Sequence, residues 1–88
     1  MRIEYSPKFV RLYKKMPKDI KILAEKQEKI FRQNQFDPRL KAHKLSGPLR
    51  KYWAFRIDCQ YRIVFSFLDS KTIRFHAIGN HKIYETSD

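Results

Sequence analysis

His43, Arg62 and His81 are the groups of this 88-residue chain whose types best suit chemistry, and they lie in three separate segments. Cleaving RNA through attack of its own 2′-OH needs three things. A base takes the hydroxyl proton, a cation stabilises charge building on the phosphate, and an acid protonates the leaving 5′ oxygen. Histidine suits both proton transfers because its ordinary pKa lies near 6.5. Arginine suits the phosphate because it is always charged and can donate two parallel hydrogen bonds. No cluster of Asp, Glu or Cys is at hand to hold a metal, which argues against a two-metal nuclease. Each residue alone has a plainer reading. His81 can simply cap the last strand, His43 can be an ordinary loop histidine, and His76 lies inside a strand.

The elements that must position these groups follow from periodicity. Arg2-Ile3-Glu4-Tyr5 alternates as a short strand does. Ser6-Pro7 reads as an N-cap followed by proline in the first helical position, with Phe9, Leu12, Tyr13 and Met16 at helical spacing behind it. Pro17 breaks that helix and can open the next. Ile20, Leu23, Ala24, Gln27, Ile30 and Phe31 then form one stripe, which Asp37-Pro38 is expected to end. From Lys51 the period changes to two, predicting strands over 52–57, 61–67 and 72–78 joined by tight turns. Trp53, Phe55, Ile57, Tyr61, Ile63, Phe65, Ile73 and Phe75 can share the face that meets the helices. Arg56, Arg62, Val64, Ser66, Arg74 and His76 alternate onto the other. The expected fold is α+β, in the order β-α-α-β-β-β. Its N-terminal strand and helical hairpin pack on one face of a small antiparallel sheet, and a short C-terminal turn or helix follows.

Length allows one domain, residues 1–88. Twenty Lys and Arg against nine Asp and Glu leave a net charge of +11, so an anionic partner is expected to offset it. A membrane is the weakest candidate, because the most apolar run, residues 63–68, is far short of the roughly 20 residues that span a bilayer. The N-terminus has no apolar block of a signal peptide, and the lone Cys59 has no disulfide partner within the chain. Both point to the cytoplasm. Arg39, Lys41, Lys44, Arg50, Lys51 and Arg56 lie between Asp37 and Asp58 with no acidic residue among them, interleaved with His43, Tyr52 and Trp53. Cations for phosphates and flat rings for bases are what a single-stranded RNA surface needs; a solvated basic loop with core aromatics is the plainer alternative. Arg56, Arg62 and Arg74 on three neighbouring strands tip the balance, since exposed like charges side by side suggest an absent anion. Trp53 and Tyr61 belong to the core by their place in the alternation.

Four stretches, His43-Lys44-Leu45-Ser46-Gly47, Tyr52-Trp53-Ala54-Phe55-Arg56-Ile57, Tyr61-Arg62-Ile63-Val64-Phe65 and Gly79-Asn80-His81-Lys82-Ile83-Tyr84, occur in an order and spacing that resembles the RelE/ParE superfamily of type II toxin–antitoxin toxins. Within it, the YoeB-like and YafQ-like ribosome-dependent mRNA interferases are the most similar, and the resemblance covers nearly the whole chain. YafQ-like members open a His-x-Leu-x-Gly stretch as His43 does. YoeB-like members carry the Trp-x-x-Arg-Ile of residues 53–57, and both groups have a histidine after the last strand, as at His81. The resemblance implies a RelE-like fold and an endoribonuclease with no cofactor and no metal. It implies His43 as general base and His81 as general acid, with Arg62 and Arg56 at the phosphate and Tyr84 placing a base or phosphate. Lys41, Lys44, Arg50, Lys51 and Arg74 would bind RNA. Tyr84 stands three residues after His81 where YafQ-like members have an aromatic four after, and Arg56 and Gln60 replace a YafQ-like His and Asp. The implied partners are a cognate small antitoxin, the ribosome and mRNA, with no membrane and no small-molecule cofactor. The alternatives are a ParE-like gyrase poison acting by protein–protein contact and a non-catalytic RNA-binding member.

Overall fold

The structure, a computed structural model, describes residues 1–84, apart from the side chains of His81 and Tyr84. Five strands form one sheet: β1 (Arg2–Tyr5), β2 (His43–Lys44), β3 (Trp53–Arg56), β4 (Tyr61–Phe67) and β5 (Thr72–Asn80). Two helices, α1 (Pro7–Lys14) and α2 (Lys18–Gln33), follow the first strand. The spatial order is β1-β5-β4-β3-β2, with β1 parallel to β5 and every other neighbour antiparallel. The α+β arrangement expected from periodicity is therefore the one observed, with β2 as an additional edge strand of two residues.

Local chemistry sets the helix ends. The Ser6 hydroxyl accepts from the Phe9 N–H at 3.0 Å and donates to the carbonyl of His76 at 3.0 Å, so one side chain caps α1 and ties it to β5. Pro17 stands one residue before α2, and its carbonyl accepts from Lys21 at 3.0 Å. The second helix ends at Gln33, short of the expected Asp37-Pro38. Asn34 turns extended there and its side chain accepts from the Phe36 N–H at 3.0 Å. Asp37-Pro38 instead opens a short 3-10 turn over Pro38–Leu40.

The core lies between the helices and one face of the sheet. Phe31 is wholly buried, and its ring lies 4.9 Å from Phe55, 5.0 Å from Phe65 and 5.5 Å from Phe75. One helical residue thus joins α2 to β3, β4 and β5. Phe9, Ile20, Ala24 and Ile63 extend this cluster, and Trp53 and Tyr61 pack against its edge. Among the described residues no helix is long and apolar enough to cross a membrane.

A bulge in β5 sets the opposite face. Val64 pairs with Ala77 but Phe65 pairs with Phe75, which leaves His76 as the extra residue. The phase of alternation changes there. Ile78 joins the core while His76, Ala77 and Gly79 all lie toward the face away from the helices.

Candidate functional site

Cross-strand neighbours share a face, so the register shows which side chains the sheet presents together. His43 pairs with Ala54, Ala54 with Val64, and Val64 with Ala77, in one row across the helix-free face. The next row toward the β3–β4 turn is Arg56, Arg62 and Gly79. The row on the other side holds Ser66 opposite Arg74. Small residues, Ala54, Val64, Ala77 and Gly79, floor the space between the ionisable ones.

Arg56 and Arg62 stand directly opposite one another, where like charges repel. A shared acceptor holds them in place. The carbonyl oxygen of Asp58 receives the Nε–H of Arg56 at 3.3 Å and an Nη1–H of Arg62 at 2.9 Å. The Asp58 carboxylate turns elsewhere, accepting the N–H groups of Gln60 and Tyr61 at 2.8 and 2.7 Å. From beneath, the Gln27 amide of α2 donates to the Arg56 carbonyl at 2.9 Å and anchors the strand. The ion pairs of the described residues are Arg32–Glu28, Arg39–Asp37 and Arg74–Glu4. Among those residues no carboxylate neutralises Arg56 or Arg62, so both guanidiniums keep donors for an anion.

His43 is exposed on edge strand β2, and its Nδ1 lies 3.2 Å from the carbonyl of Lys41. A carbonyl can only accept, so that nitrogen must carry the proton and neutral His43 leaves Nε2 with a lone pair. A left-handed backbone at Lys41, φ 49°, aims the carbonyl at the ring. Two strand spacings and two residues of rise separate His43 from Arg62, about 12 Å between Cα atoms. A substrate phosphate can bridge that gap.

On the other flank, β5 ends at Asn80 and a 3-10 turn over His81–Tyr84 follows at once. Gly79 permits this closure. A Cβ built on it would collide with the Cγ2 of Ile83, so the turn folds back against the glycine beside Arg62. The backbones of His81 and Tyr84 belong to this turn. Their side chains, and with them the acid and positioning roles expected from the sequence, lie outside the described residues.

Two expected RNA-binding residues are placed apart from this face or its unpaired charges. Lys44 pairs with Trp53, so it projects to the helix side of the sheet. Arg74 is on the helix-free face but donates to Glu4 of β1 at 3.2 Å, which satisfies part of its charge. Lys41, Arg50 and Lys51 are exposed around β2 and the turn preceding β3. Among the described residues no three His, Cys, Asp or Glu side chains gather as a metal site requires.

A group not singled out as functional from the sequence also stands on this face. His76 Nε2 lies 2.7 Å from the Ser66 hydroxyl, and its ring centroid is 4.9 Å from that of Tyr52 at an interplanar angle of 80°. Burial, and then the charge of Arg74, push the His76 pKa below its ordinary value, so the ring is neutral at physiological pH. Alternation places this histidine outward, but no periodicity marks the bulge that brings Ala77 to the same face.

No protein-family model and no curated protein matches the chain. Solved structures do. YafQ from E. coli strain BL21(DE3) superposes with a TM-score of 0.78 at 21% identity, over 96% of this chain and 98% of that one. A YoeB/ParE toxin from Agrobacterium tumefaciens gives 0.77 at 16% identity, over 92% and 99%. The E. coli DinJ–YafQ toxin–antitoxin complex gives 0.74 at 22% identity, over 92% and 92%. The chain therefore has the fold of the YafQ and YoeB/ParE toxins, as the resemblance of its four stretches anticipates.

Proposed function

We propose that the protein is the toxin of a type II toxin–antitoxin pair and an endoribonuclease that cuts mRNA on the ribosome. The observation that carries this reading is the Arg56–Arg62 pair, which lacks a neutralising carboxylate among the described residues and shares its face with His43, whose Nδ1 is held by the Lys41 carbonyl while its Nε2 has no partner among those residues. In this mechanism His43 Nε2 accepts the 2′-OH proton as the oxygen attacks the adjacent phosphorus. Arg62 and Arg56 stabilise the charge gathering on the non-bridging oxygens. His81 donates a proton to the departing 5′ oxygen, and Tyr84 steadies a base or phosphate. The P–O5′ bond breaks, leaving a 2′,3′-cyclic phosphate and a 5′-hydroxyl.

Two partners accompany this reading. The net charge of +11 suits the phosphates of ribosomal RNA. A small antitoxin with acidic and apolar groups would cover the basic face, and a structure of the similar YafQ is a complex with DinJ. The test is induction of wild type, His43→Ala and Arg62→Ala in growing cells. Wild type is expected to stop growth and cut translated mRNA, and both variants to lose these effects. Equal arrest by all three would refute the assignment. Inhibition of supercoiling by purified gyrase, with mRNA left intact, would favour the ParE-like mode instead.

A further inference from the structure

Ser66 and His76 lie on the neighbouring strands β4 and β5 of the helix-free face, Tyr52 stands just before β3 with its ring against His76, and all three are partly exposed. A trio serving only to pack would be expected beneath a helix or loop, whereas both helices sit on the other face. Alternation after Phe75 places His76 on this surface, and the bulge at that position brings Ala77 to the same face; bulges are common beside functional sites. Its Nε2 is engaged by Ser66, while Nδ1 has no partner among the described residues. The two rings meet at 80°, forming a corner: a flat group stacked on one ring presents its edge to the other. Ser66 stands four residues along β4 from Arg62, about 13 Å away. A nucleotide flanking a phosphate held at Arg62 can reach that distance.

We infer that Tyr52, His76 and Ser66 form a nucleobase subsite, which stacks and reads the edge of an unpaired base flanking the cleaved phosphate. Ser66 fixes the imidazole, Tyr52 supplies the second ring, and the free Nδ1 of His76 hydrogen-bonds the base edge. A purine is favoured because its larger face stacks more strongly on an aromatic ring. The subsite belongs to the surface proposed above for RNA and so rests on that reading, but it concerns binding and not cleavage.

Its test uses the whole protein and 2′-O-methyl tetraribonucleotides of adenine or uracil, which bind but cannot be cut. Titration is expected to shift the His76 imidazole resonances, with the adenine probe binding more tightly than the uracil probe. His76→Ala and Tyr52→Leu should each weaken adenine binding and bring the two probes to similar affinity. His76→Phe, which keeps a ring, should restore much of the affinity without the hydrogen bond. Thermal unfolding identifies any variant that fails to fold, and the remaining ones decide. Unshifted His76 resonances, or unchanged base preference in folded variants, would overturn the subsite. Cleavage of translated mRNA by wild type is scored separately, so failure of the nuclease reading is distinguishable from failure of the subsite.

Discussion

Arg56 and Arg62 face each other across β3 and β4 and donate to one carbonyl oxygen, that of Asp58. Two cations held side by side with no carboxylate among the described residues to pair them are costly in the free protein and useful when an anion arrives. Arg62→Ala is therefore expected to preserve or slightly raise the thermal midpoint while reducing RNA cleavage about 100-fold or more. Calorimetry and a cleavage assay on programmed ribosomes check the two halves.

Gly79 is constrained by a neighbour and not by an unusual backbone angle. Gly79→Ala should push Ile83 outward and displace the turn that carries His81 and Tyr84. The expected cost is about 1–3 kcal/mol, as for overpacking, with a loss of cleavage larger than the loss of stability explains. Denaturant unfolding and toxicity on induction, measured on one variant, separate the two.

Phe31 is the residue on which the helix–sheet contact most depends. Phe31→Ala should cost about 3–5 kcal/mol, a large share of the roughly 5–15 kcal/mol available to a domain of this size. Equilibrium unfolding in urea measures it, and Phe31→Leu should recover much of the loss.

His76 gives stability a pH dependence of defined sign. Burial and then Arg74 depress its folded pKa, so the unfolded chain takes up a proton more readily than the folded one. Stability should be level above the ordinary value of 6.5 and should fall as the pH drops through the lower folded value. Arg74 is the charged group beside the ring, and Ser66 and Tyr52 are neutral contacts. His76→Phe should flatten the profile between pH 7 and pH 5 in thermal scans; an unchanged profile would contradict this origin.

Much of this architecture is legible in the sequence because its signals are periodic. The stripe from Ile20 to Phe31 and the alternation from Trp53 to Phe75 are repeated often enough to fix faces as well as elements. What remains hidden lacks repetition. The strand β2 has two residues, too few to alternate, so the register alone shows that His43 faces the site and Lys44 does not. Glu4 neutralises Arg74 from a parallel strand distant in sequence, an arrangement no local pattern announces. The bulge at His76 depends on pairing with β4, so its change of phase appears only in the assembled sheet. Residue type and family-like spacing single out His43 and Arg62, but that the two share one face of the sheet is visible only in the register.

Mapping the ends of cellular RNA after induction tests the central claim most directly. New 5′-hydroxyl ends, each matched by an upstream 2′,3′-cyclic phosphate, should accumulate inside translated reading frames with wild type and vanish with Arg62→Ala. Growth arrest by wild type without such ends, or the same ends in equal number from Arg62→Ala, would contradict it.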